Sequence, residues 1–335
     1  MLTRNIWGNR TIPALGLGCW AIGGIWHAGD TPLGWGQVDD AESVRAIHRA
    51  VDLGICFFDT AQTYGTGHSE HILGQALVSH QDVLIGTKVG YAIDPARKQL
   101  VGPEVSSAAI TASIDASLRR LQREKIDIVH LHLNAPLISE ATEVFDTLDR
   151  LRNAGKVGAF GWSTDYPNHA AEFAHREGFV SVQHAMNVFF RADALLPEIE
   201  QHGLLSINRS PLAMGLLGGR YTTDSQSTPI SADDVRSRSE NWMEYFKNGR
   251  ITPAFAQQLD AVRSLLQTDD RSLAQGALAW LWARSPNTLP IPGFRNVAQV
   301  NDLAGALHKG PLPQDVMQGI ERVIVREPEG EPRDR

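Results

Sequence analysis

The sequence predicts one α/β domain, a (β/α)₈ TIM barrel with an N-terminal β-hairpin cap and a long loop after the seventh strand. Eight short apolar runs alternate with amphipathic stretches, and parallel strands need a crossover helix between neighbours. Eight is also the number of strands that closes a compact barrel around packed side chains. The domain is expected over 1–326 of the 335 residues, followed by a loose tail over 327–335.

The strand candidates are short apolar runs bounded by polar or turn-forming residues. They lie at 14–18, 55–58, 83–86, 126–133, 158–161, 180–184, 204–207 and 288–292. Between them, apolar residues recur with the spacing of one helix face, which predicts helices at 40–53, 105–122, 140–153, 168–177 and 272–283. Strands and helices that alternate in this way favour a parallel sheet.

Two stretches interrupt the alternation. Residues 5–12 place the pair Gly8-Asn9 between short apolar segments, which predicts a β-hairpin that caps the floor of the barrel. Residues 218–249 are polar and rich in turn-forming residues, and long loops in compact domains are usually functional or disordered.

Composition and charge exclude several classes of protein. The hydrophobic fraction of 42% and the charged fraction of 21% are those of a globular protein with a large core. The formal net charge is −7 and no dense run of Lys or Arg occurs, so a nucleic-acid partner is not expected. No apolar run reaches the roughly 18 residues that cross a bilayer, and the first residues lack the apolar core of a secretion signal. The sequence therefore predicts a cytoplasmic protein, and it leaves the oligomeric state open.

Reactive side chains fall where the predicted strands end. Asp59 ends the second strand, and Tyr64 follows in the next loop. Lys88 ends the third strand, and His132 lies near the end of the fourth. Active sites of (β/α)₈ barrels lie at this end of the strands, so we expect the four side chains to converge. Each one alone could equally be a cap, a turn residue, a surface charge or a core histidine.

Together these four residue types can form a proton donor. A phenol has a pKa of about 10 and gives up its proton reluctantly at neutral pH. A neighbouring ammonium lowers that pKa, and a carboxylate keeps the ammonium charged. We therefore predict that Tyr64 is a general acid with a pKa lowered by Lys88, that Asp59 holds Lys88, and that His132 orients the substrate oxygen.

With these motifs the chain resembles the aldo-keto reductase family. The segment FFDTAQTYG at 57–65, with GHSE at 67–70 and LG at 73–74, resembles the signature around the family's catalytic Asp and Tyr. TK at 87–88 resembles the strand with the catalytic Lys, and DIVHLH at 127–132 resembles the segment whose last His is catalytic. The resemblance implies an NADP-dependent oxidoreductase that interconverts a carbonyl and an alcohol, with the catalytic residues Asp59, Tyr64, Lys88 and His132.

The resemblance also implies a site for the cofactor NADPH and no metal. GWST at 161–164 resembles the segment that holds the nicotinamide carboxamide, RSPL at 209–212 the pyrophosphate-side loop, and IPGFR at 291–295 the adenosine end. The implied cofactor-binding residues are Trp20, Ser163, Gln183, Arg209, Ser210, Leu212, Gly215, Arg220, Gly293, Arg295, Gln299 and Asp302.

Several of these positions have their own chemistry. Thr164 and Leu303 each replace an Asn of the family, at the carboxamide and at the adenine. Arg209 stands where many members place an aromatic ring under the nicotinamide, and a guanidinium plane could stack there. Arg295 precedes a helix that is expected to begin at Asn296, and it would add donors for a phosphate, which favours NADPH over NADH.

Two other functions stay open. His130 and His132 on one strand face, with His184 as a third ligand, would suit a zinc-dependent barrel hydrolase. An NADPH-binding barrel could also be a sensor or partner subunit with weak turnover. The substrate is not specified beyond a small carbonyl compound, an aldehyde, ketone or aldose. Aromatic residues of the loops at 23–38 and 218–249 suit a sugar face and an aryl aldehyde equally; they are Trp26, Trp35, Trp242 and Tyr245.

Overall fold

The computed structural model describes residues 1–221, 230–238 and 242–326. The strands are β1 (Thr3–Ile6), β2 (Arg10–Pro13), β3 (Leu17–Gly18), β4 (His27–Ala28), β5 (Thr31–Pro32), β6 (Phe57–Asp59), β7 (Leu84–Val89), β8 (Tyr91–Asp94), β9 (Gln99–Pro103), β10 (Ile126–Leu131), β11 (Val157–Ser163), β12 (Phe179–Ala185), β13 (Leu205–Arg209), β14 (Phe246–Lys247), β15 (Arg250–Ile251) and β16 (Thr288–Pro290). The central sheet has eight strands in the order β16-β13-β12-β11-β10-β7-β6-β3. Each of these strands lies at a predicted apolar run.

The central sheet closes on itself between β3 and β16. The amide of Gly16 donates to the Pro290 carbonyl at 3.0 Å, and the amide of Gly18 donates to the Pro292 carbonyl at 2.9 Å. A Cβ at Gly18 would lie 2.7 Å from the Ile291 carbonyl oxygen, so this close approach requires glycine. The predicted (β/α)₈ barrel is confirmed.

The lower interior of the barrel is apolar and filled. Alternate residues of a strand point to the same side. The residues that point inward here form one cluster with Ile6 and Ile12, and they include Phe57, Leu84, Ile128, Leu205, Ile207, Leu289 and Ile291. Ile6 and Ile12 belong to the hairpin of β1 and β2, whose turn holds Gly8 and Asn9 at φ of 67° and 55°. The predicted hairpin is confirmed, and its apolar side chains cover the barrel floor.

Helices surround the barrel. They are α1 (Asp40–Asp52), α2 (His68–Ala76), α3 (Ser107–Leu121), α4 (Ile138–Asn153), α5 (Pro167–Phe173), α6 (Leu196–Gln201), α7 (Pro253–Leu266), α8 (Leu273–Arg284), α9 (Val297–Lys309) and α10 (Gln314–Val323). The start of α1 is capped, because the Asp39 carboxylate accepts from the Glu42 amide at 3.1 Å. Within the described residues, no helix is long and apolar enough to cross a membrane.

Five helices lie where the apolar spacing predicted them, namely α1, α3, α4, α5 and α8. The start of α9 was also predicted, and the Asn296 side chain accepts from the Gln299 amide at 2.9 Å there. The spacing missed α2 and α6 because their 9 and 6 residues are too few to show a helical period. It also missed α7 and α10, although α7 buries a regular face that begins with Ala256 and Leu259.

A second sheet, which the sequence did not predict, forms beside the mouth of the barrel. It joins β4 and β5, from the loop after the first barrel strand, to β8 and β9, from the loop after the third. His27 pairs with Gln99 across this junction. Strands β4 and β5 have only two residues each and show no alternation, and the pairing of β4 with the distant β9 cannot be deduced from local spacing.

The predicted excursion at 218–249 is described only in part, and the predicted tail at 327–335 lies outside the described residues. The described part contains β14, which forms an antiparallel pair with β15 just after the excursion. It is also tied to the loop after the first barrel strand, because the Val235 amide donates to the Gly34 carbonyl at 2.7 Å. The Arg236 guanidinium lies 4.5 Å from the centre of the Trp35 ring. Two long loops therefore meet at the barrel mouth.

Candidate active site

Lys88 is the centre of a hydrogen-bonded cluster at the open end of the barrel. Its Nζ donates to Asp59 Oδ2 at 2.6 Å, to the Thr60 carbonyl at 2.7 Å and to Tyr64 Oη at 3.2 Å. The other carboxylate oxygen of Asp59 accepts from Gln183 Nε2 at 2.7 Å. An ammonium has three donors and no acceptor, so Lys88 has used all its donors and Tyr64 Oη is an acceptor in this contact.

The alternation of side chains along the strands and one tight turn bring Asp59, Lys88 and Tyr64 together. Asp59 and Lys88 follow the inward-facing Phe57 and Gly86 by two residues, so they lie on the interior side of β6 and β7. Tyr64 begins a short 3-10 turn in which Gly65 has φ of 62°. A Cβ at Gly65 would lie 1.9 Å from the Gly23 carbonyl oxygen. Glycine therefore lets the loop that carries Tyr64 pack closely against the loop after the first barrel strand.

The helix after this turn supports the cluster from behind. Glu70 of α2 is fully buried; its Oε1 accepts from Thr87 Oγ1 at 2.6 Å, and its Oε2 accepts from Arg120 Nε at 2.7 Å. The Ser69 hydroxyl accepts from Thr60 Oγ1 at 2.9 Å. Thr87 and Thr60 are the chain neighbours of Lys88 and Asp59, so α2 fixes the backbone on both sides of the ion pair.

Burial controls the protonation of the cluster. It raises the pKa of the Tyr64 phenol more than Lys88 lowers it, so the net pKa lies above the ordinary value. The prediction of a lowered phenol pKa is therefore wrong, and Tyr64 stays protonated at neutral pH. Burial lowers the pKa of Lys88, but Asp59 and Tyr64 together raise it above its ordinary value. Lys88 is therefore charged.

His132 lies directly after β10 and borders Tyr64. The two rings meet edge to face, with their centroids 6.0 Å apart. Burial, followed by the positive charges of Lys88 and Arg209, holds the pKa of His132 well below its ordinary value. The imidazole is therefore neutral at neutral pH, and a neutral imidazole can donate one hydrogen bond.

Aromatic rings form a continuous wall around the Tyr64 hydroxyl. Trp20 stacks on Tyr64 with the centroids 5.9 Å apart, and Trp35 meets Trp20 edge to face at 5.6 Å. On the other side, Tyr91 meets His132 edge to face at 5.6 Å. Five rings are thus linked by contacts of similar length. Together they form a wall of aromatic rings, called the ring wall, that presents apolar surface next to the Tyr64 hydroxyl.

These groups border one large pocket with a volume of about 1890 Å³. Sites for single small molecules usually measure roughly 300–1,000 Å³, so this pocket has room for a dinucleotide together with a substrate. The residues that the resemblance assigned to a cofactor all line it: Trp20, Ser163, Gln183, Arg209, Ser210, Leu212, Gly215, Arg220, Gly293, Arg295, Gln299 and Asp302. The four aromatic residues expected from the long loops, Trp26, Trp35, Trp242 and Tyr245, line it as well.

Three residues that were predicted to bind the adenosine end of the cofactor form hydrogen bonds with other groups of the protein. Arg295 Nη1 donates to the Trp35 carbonyl at 3.0 Å, and Nη2 donates to the Gln37 carbonyl. Gln299 Oε1 accepts from the Arg295 amide at 2.7 Å. Asp302 accepts from two side chains at the start of α8. A phosphate would therefore have to compete with loop carbonyls for the Arg295 guanidinium.

Thr164 and Leu303, which each replace an Asn of the family, differ in their surroundings. Thr164 is fully buried, and its hydroxyl donates to the Asn134 carbonyl at 2.7 Å, so it serves the protein interior. Leu303 borders the pocket and is 2% exposed. An adenine at this point would meet an apolar side chain.

A family model matches almost the whole chain. The model of the Aldo/keto reductase family covers residues 14–325. The chain belongs to the aldo/keto reductase family. It is an oxidoreductase, and carbonyl–alcohol interconversion is the general reaction of its family.

Named relatives of this reductase match over most of their length. It is 28% identical over 299 residues to the aldo-keto reductase YhdN of Bacillus subtilis, covering 87% of this chain and 83% of that protein. The glycerol dehydrogenase AKR11B4 of Gluconobacter oxydans is 27% identical, with a TM-score of 0.80 over 98% of both chains. An aldo-keto reductase of Klebsiella pneumoniae, solved in complex with NADPH, is 22% identical, with a TM-score of 0.70 over 98% of both chains.

The geometry of the reductase gives no support to a zinc site. His130 Nε2 shares a hydrogen bond of 2.8 Å with Ser181 Oγ, and His184 Nε2 shares one of 2.7 Å with Ser206 Oγ. In the part of the chain that the structure describes, no three His, Cys, Asp or Glu side chains are arranged to hold a metal ion.

Asp165 and Tyr91 are among the residues of the reductase pocket that sequence reasoning missed. Asp165 lies two residues after Ser163 and accepts from Arg209 Nη2 through Oδ2. Tyr91 follows the third barrel strand and closes the ring wall beside His132. Each lies two residues after the end of a barrel strand, so a search of every strand end for polar and aromatic residues could have found them.

Proposed function

We propose that this protein reduces a small carbonyl compound with NADPH and that Tyr64 gives a proton to the carbonyl oxygen. When bound, NADPH supplies the hydride to the carbonyl carbon. The hydrogen bond from Lys88 to Tyr64 Oη carries the proposal. Because Lys88 can only donate, the proton of Tyr64 is available to a substrate oxygen. In alcohol oxidation, the Tyr64 phenolate accepts that proton.

The other groups have supporting roles in this proposal. Lys88 stabilises the negative charge that Tyr64 acquires when its proton leaves, and Asp59 keeps Lys88 in place. His132, as a neutral imidazole, donates a hydrogen bond to the same carbonyl oxygen and orients it. The twelve pocket residues named above hold the cofactor, with Gly293 as a point of close backbone approach.

The chemistry of the ring wall favours an uncharged substrate. Trp20, Trp35, Tyr64, Tyr91 and His132 present apolar surface next to the proton donor, and the imidazole among them is neutral. Rings of this kind bind the flat face of a sugar or an aryl aldehyde. We propose an uncharged aldehyde, ketone or aldose as the substrate.

A panel of aldehydes, ketones and sugars tests the proposal. The absorbance of NADPH and of NADH should be followed in separate assays with the purified protein. We expect oxidation of NADPH with at least one uncharged carbonyl compound. Tight binding of NADPH with very slow turnover of the whole panel would favour a sensor or partner subunit instead, and no binding of either dinucleotide would contradict the proposal.

The raised pKa of Tyr64 predicts how kcat depends on pH in each direction of the reaction. Burial raises the pKa of the phenol above its ordinary value, so the phenol stays protonated near neutral pH and kcat for reduction should be level between about pH 6 and pH 9. Oxidation needs the phenolate, whose fraction grows about tenfold per pH unit in this range, so its kcat should rise with pH. Steady-state pH profiles in both directions check this. A reduction rate that already declines between about pH 7 and pH 8 would contradict it.

A further inference from the structure

Arg209 and Asp165 form an ion pair on the pocket rim. Arg209 ends β13 and follows the inward-facing Leu205 and Ile207 in alternation, so it points into the barrel mouth. Its Nη2 donates to Asp165 Oδ2. The side chains are 20% and 8% exposed, and both residues line the pocket.

The protein holds Asp165 firmly in this position. Its Oδ1 accepts from the Ala185 amide at 3.0 Å, and its own amide donates to Asn134 Oδ1 at 2.9 Å. Ala185 pairs with Arg209 in the register of β12 and β13. The carboxylate is thus fixed by β12, the strand that pairs with the one carrying the guanidinium.

The charge of Arg209 acts on the proposed reaction centre. Burial raises the pKa of Tyr64 and lowers that of His132, Lys88 lowers both, and Arg209 adds a smaller lowering effect to each. The guanidinium therefore lies within electrostatic range of the groups proposed to bind the carbonyl oxygen. A nicotinamide that passes a hydride to that carbonyl must lie in the same region of the pocket.

The two oxidation states of the cofactor respond differently to such a charge. The nicotinamide ring is neutral in NADPH and carries one positive charge in NADP⁺, because the hydride leaves with two electrons. An uncompensated guanidinium beside the ring would repel NADP⁺ and leave the binding of NADPH almost unchanged.

We propose that Asp165 is a positioning residue that fixes Arg209 and cancels its charge, and thereby sets the relative affinity of the site for NADP⁺ and NADPH. This inference rests on the proposed function, because it needs a nicotinamide in the pocket. It extends that function to the balance between reduction and oxidation.

The variant Asp165→Asn tests the inference, because it removes the charge and keeps an oxygen to accept from the Ala185 amide. The ratio of Kd for NADP⁺ to Kd for NADPH should rise about tenfold, between the limits for a unit charge at about 4 Å in water and at a protein surface. Tenfold corresponds to a shift of about +30 mV in the midpoint potential of the bound couple. Calorimetry or fluorescence titration with each dinucleotide measures the ratio without turnover.

The variant Arg209→Gln should shift the same ratio the other way. It leaves the Asp165 carboxylate uncompensated near the ring, so NADP⁺ should gain affinity relative to NADPH. The double variant should return the ratio close to that of the wild type, because it removes both charges. Asp149→Asn is a matched control, since Asp149 forms an ion pair with Arg176 outside the pocket. It should leave the ratio unchanged.

The outcomes separate the inference from the proposed function. If Asp165→Asn weakens both dinucleotides equally, its role is structural and the inference is overturned. If Asp165→Asn does not fold, Arg209→Gln decides alone, and an unchanged ratio in that variant overturns the inference. If the wild-type protein binds neither dinucleotide, the proposed function itself is wrong.

Discussion

Replacing Tyr64 with phenylalanine is expected to lower kcat for carbonyl reduction by about 10²–10⁴-fold, the usual contribution of a general acid. The ring of Tyr64 and its stacking on Trp20 stay in place, so Kd for NADPH should change little. Steady-state kinetics and a binding titration on the same preparation measure the two effects. The reason is chemical: only the hydroxyl next to Lys88 is lost.

Tyr91→Phe is the matched control for this experiment. Tyr91 borders the same pocket and contacts His132, but all three donors of the Lys88 ammonium go to other groups. We expect a change in KM for the substrate with kcat largely retained. A Tyr64→Phe protein that reduces aldehydes at the wild-type rate would remove Tyr64 from the mechanism.

Lys88→Met should impair both activity and stability. Lys88 is 1% exposed and its ammonium is the partner of the buried Asp59 carboxylate, so its removal leaves a buried charge without compensation. Breaking a buried pair in this way usually costs about 3–5 kcal/mol of unfolding free energy. The kcat for reduction should fall by about 10²-fold or more, because the phenolate of Tyr64 loses its stabilising cation. Urea unfolding and steady-state kinetics measure the two losses.

The double variant Lys88→Met with Asp59→Asn separates the two effects. It removes the uncompensated carboxylate, so a large part of the unfolding free energy should return. Activity should stay low, because no ammonium is present beside Tyr64. If activity returns together with stability, Lys88 has a purely structural role and its proposed effect on Tyr64 is wrong.

The barrel strands could be predicted because strands covered on both faces are rich in apolar residues. Runs such as 126–133 and 204–207 therefore stand out from their polar surroundings. The hairpin was predictable for a different reason, since its turn needs two residues that tolerate positive φ, and Gly8-Asn9 supplies them. Helices α2 and α6 were not predicted because a helical period cannot be detected in so few residues.

The candidate site could be predicted only where position along a strand determines position in space. Asp59 and Lys88 lie at the ends of neighbouring parallel strands, and such ends meet at one rim. Asp165 and Arg209 are 44 residues apart, and their pairing depends on how the loop after β11 runs relative to the end of β13. Nothing in the local sequence reports that distance.

The amino-acid sequence alone was enough to predict the alternation of strands and helices, the barrel, and the strand ends where Asp59, Lys88 and His132 lie. These features follow from local patterns of apolar residues, which repeat within a few positions. The second sheet, the pairing of Asp165 with Arg209 and the raised pKa of Tyr64 became visible only in the folded molecule. They depend on burial and on distances between remote segments, and both arise when the chain packs against itself.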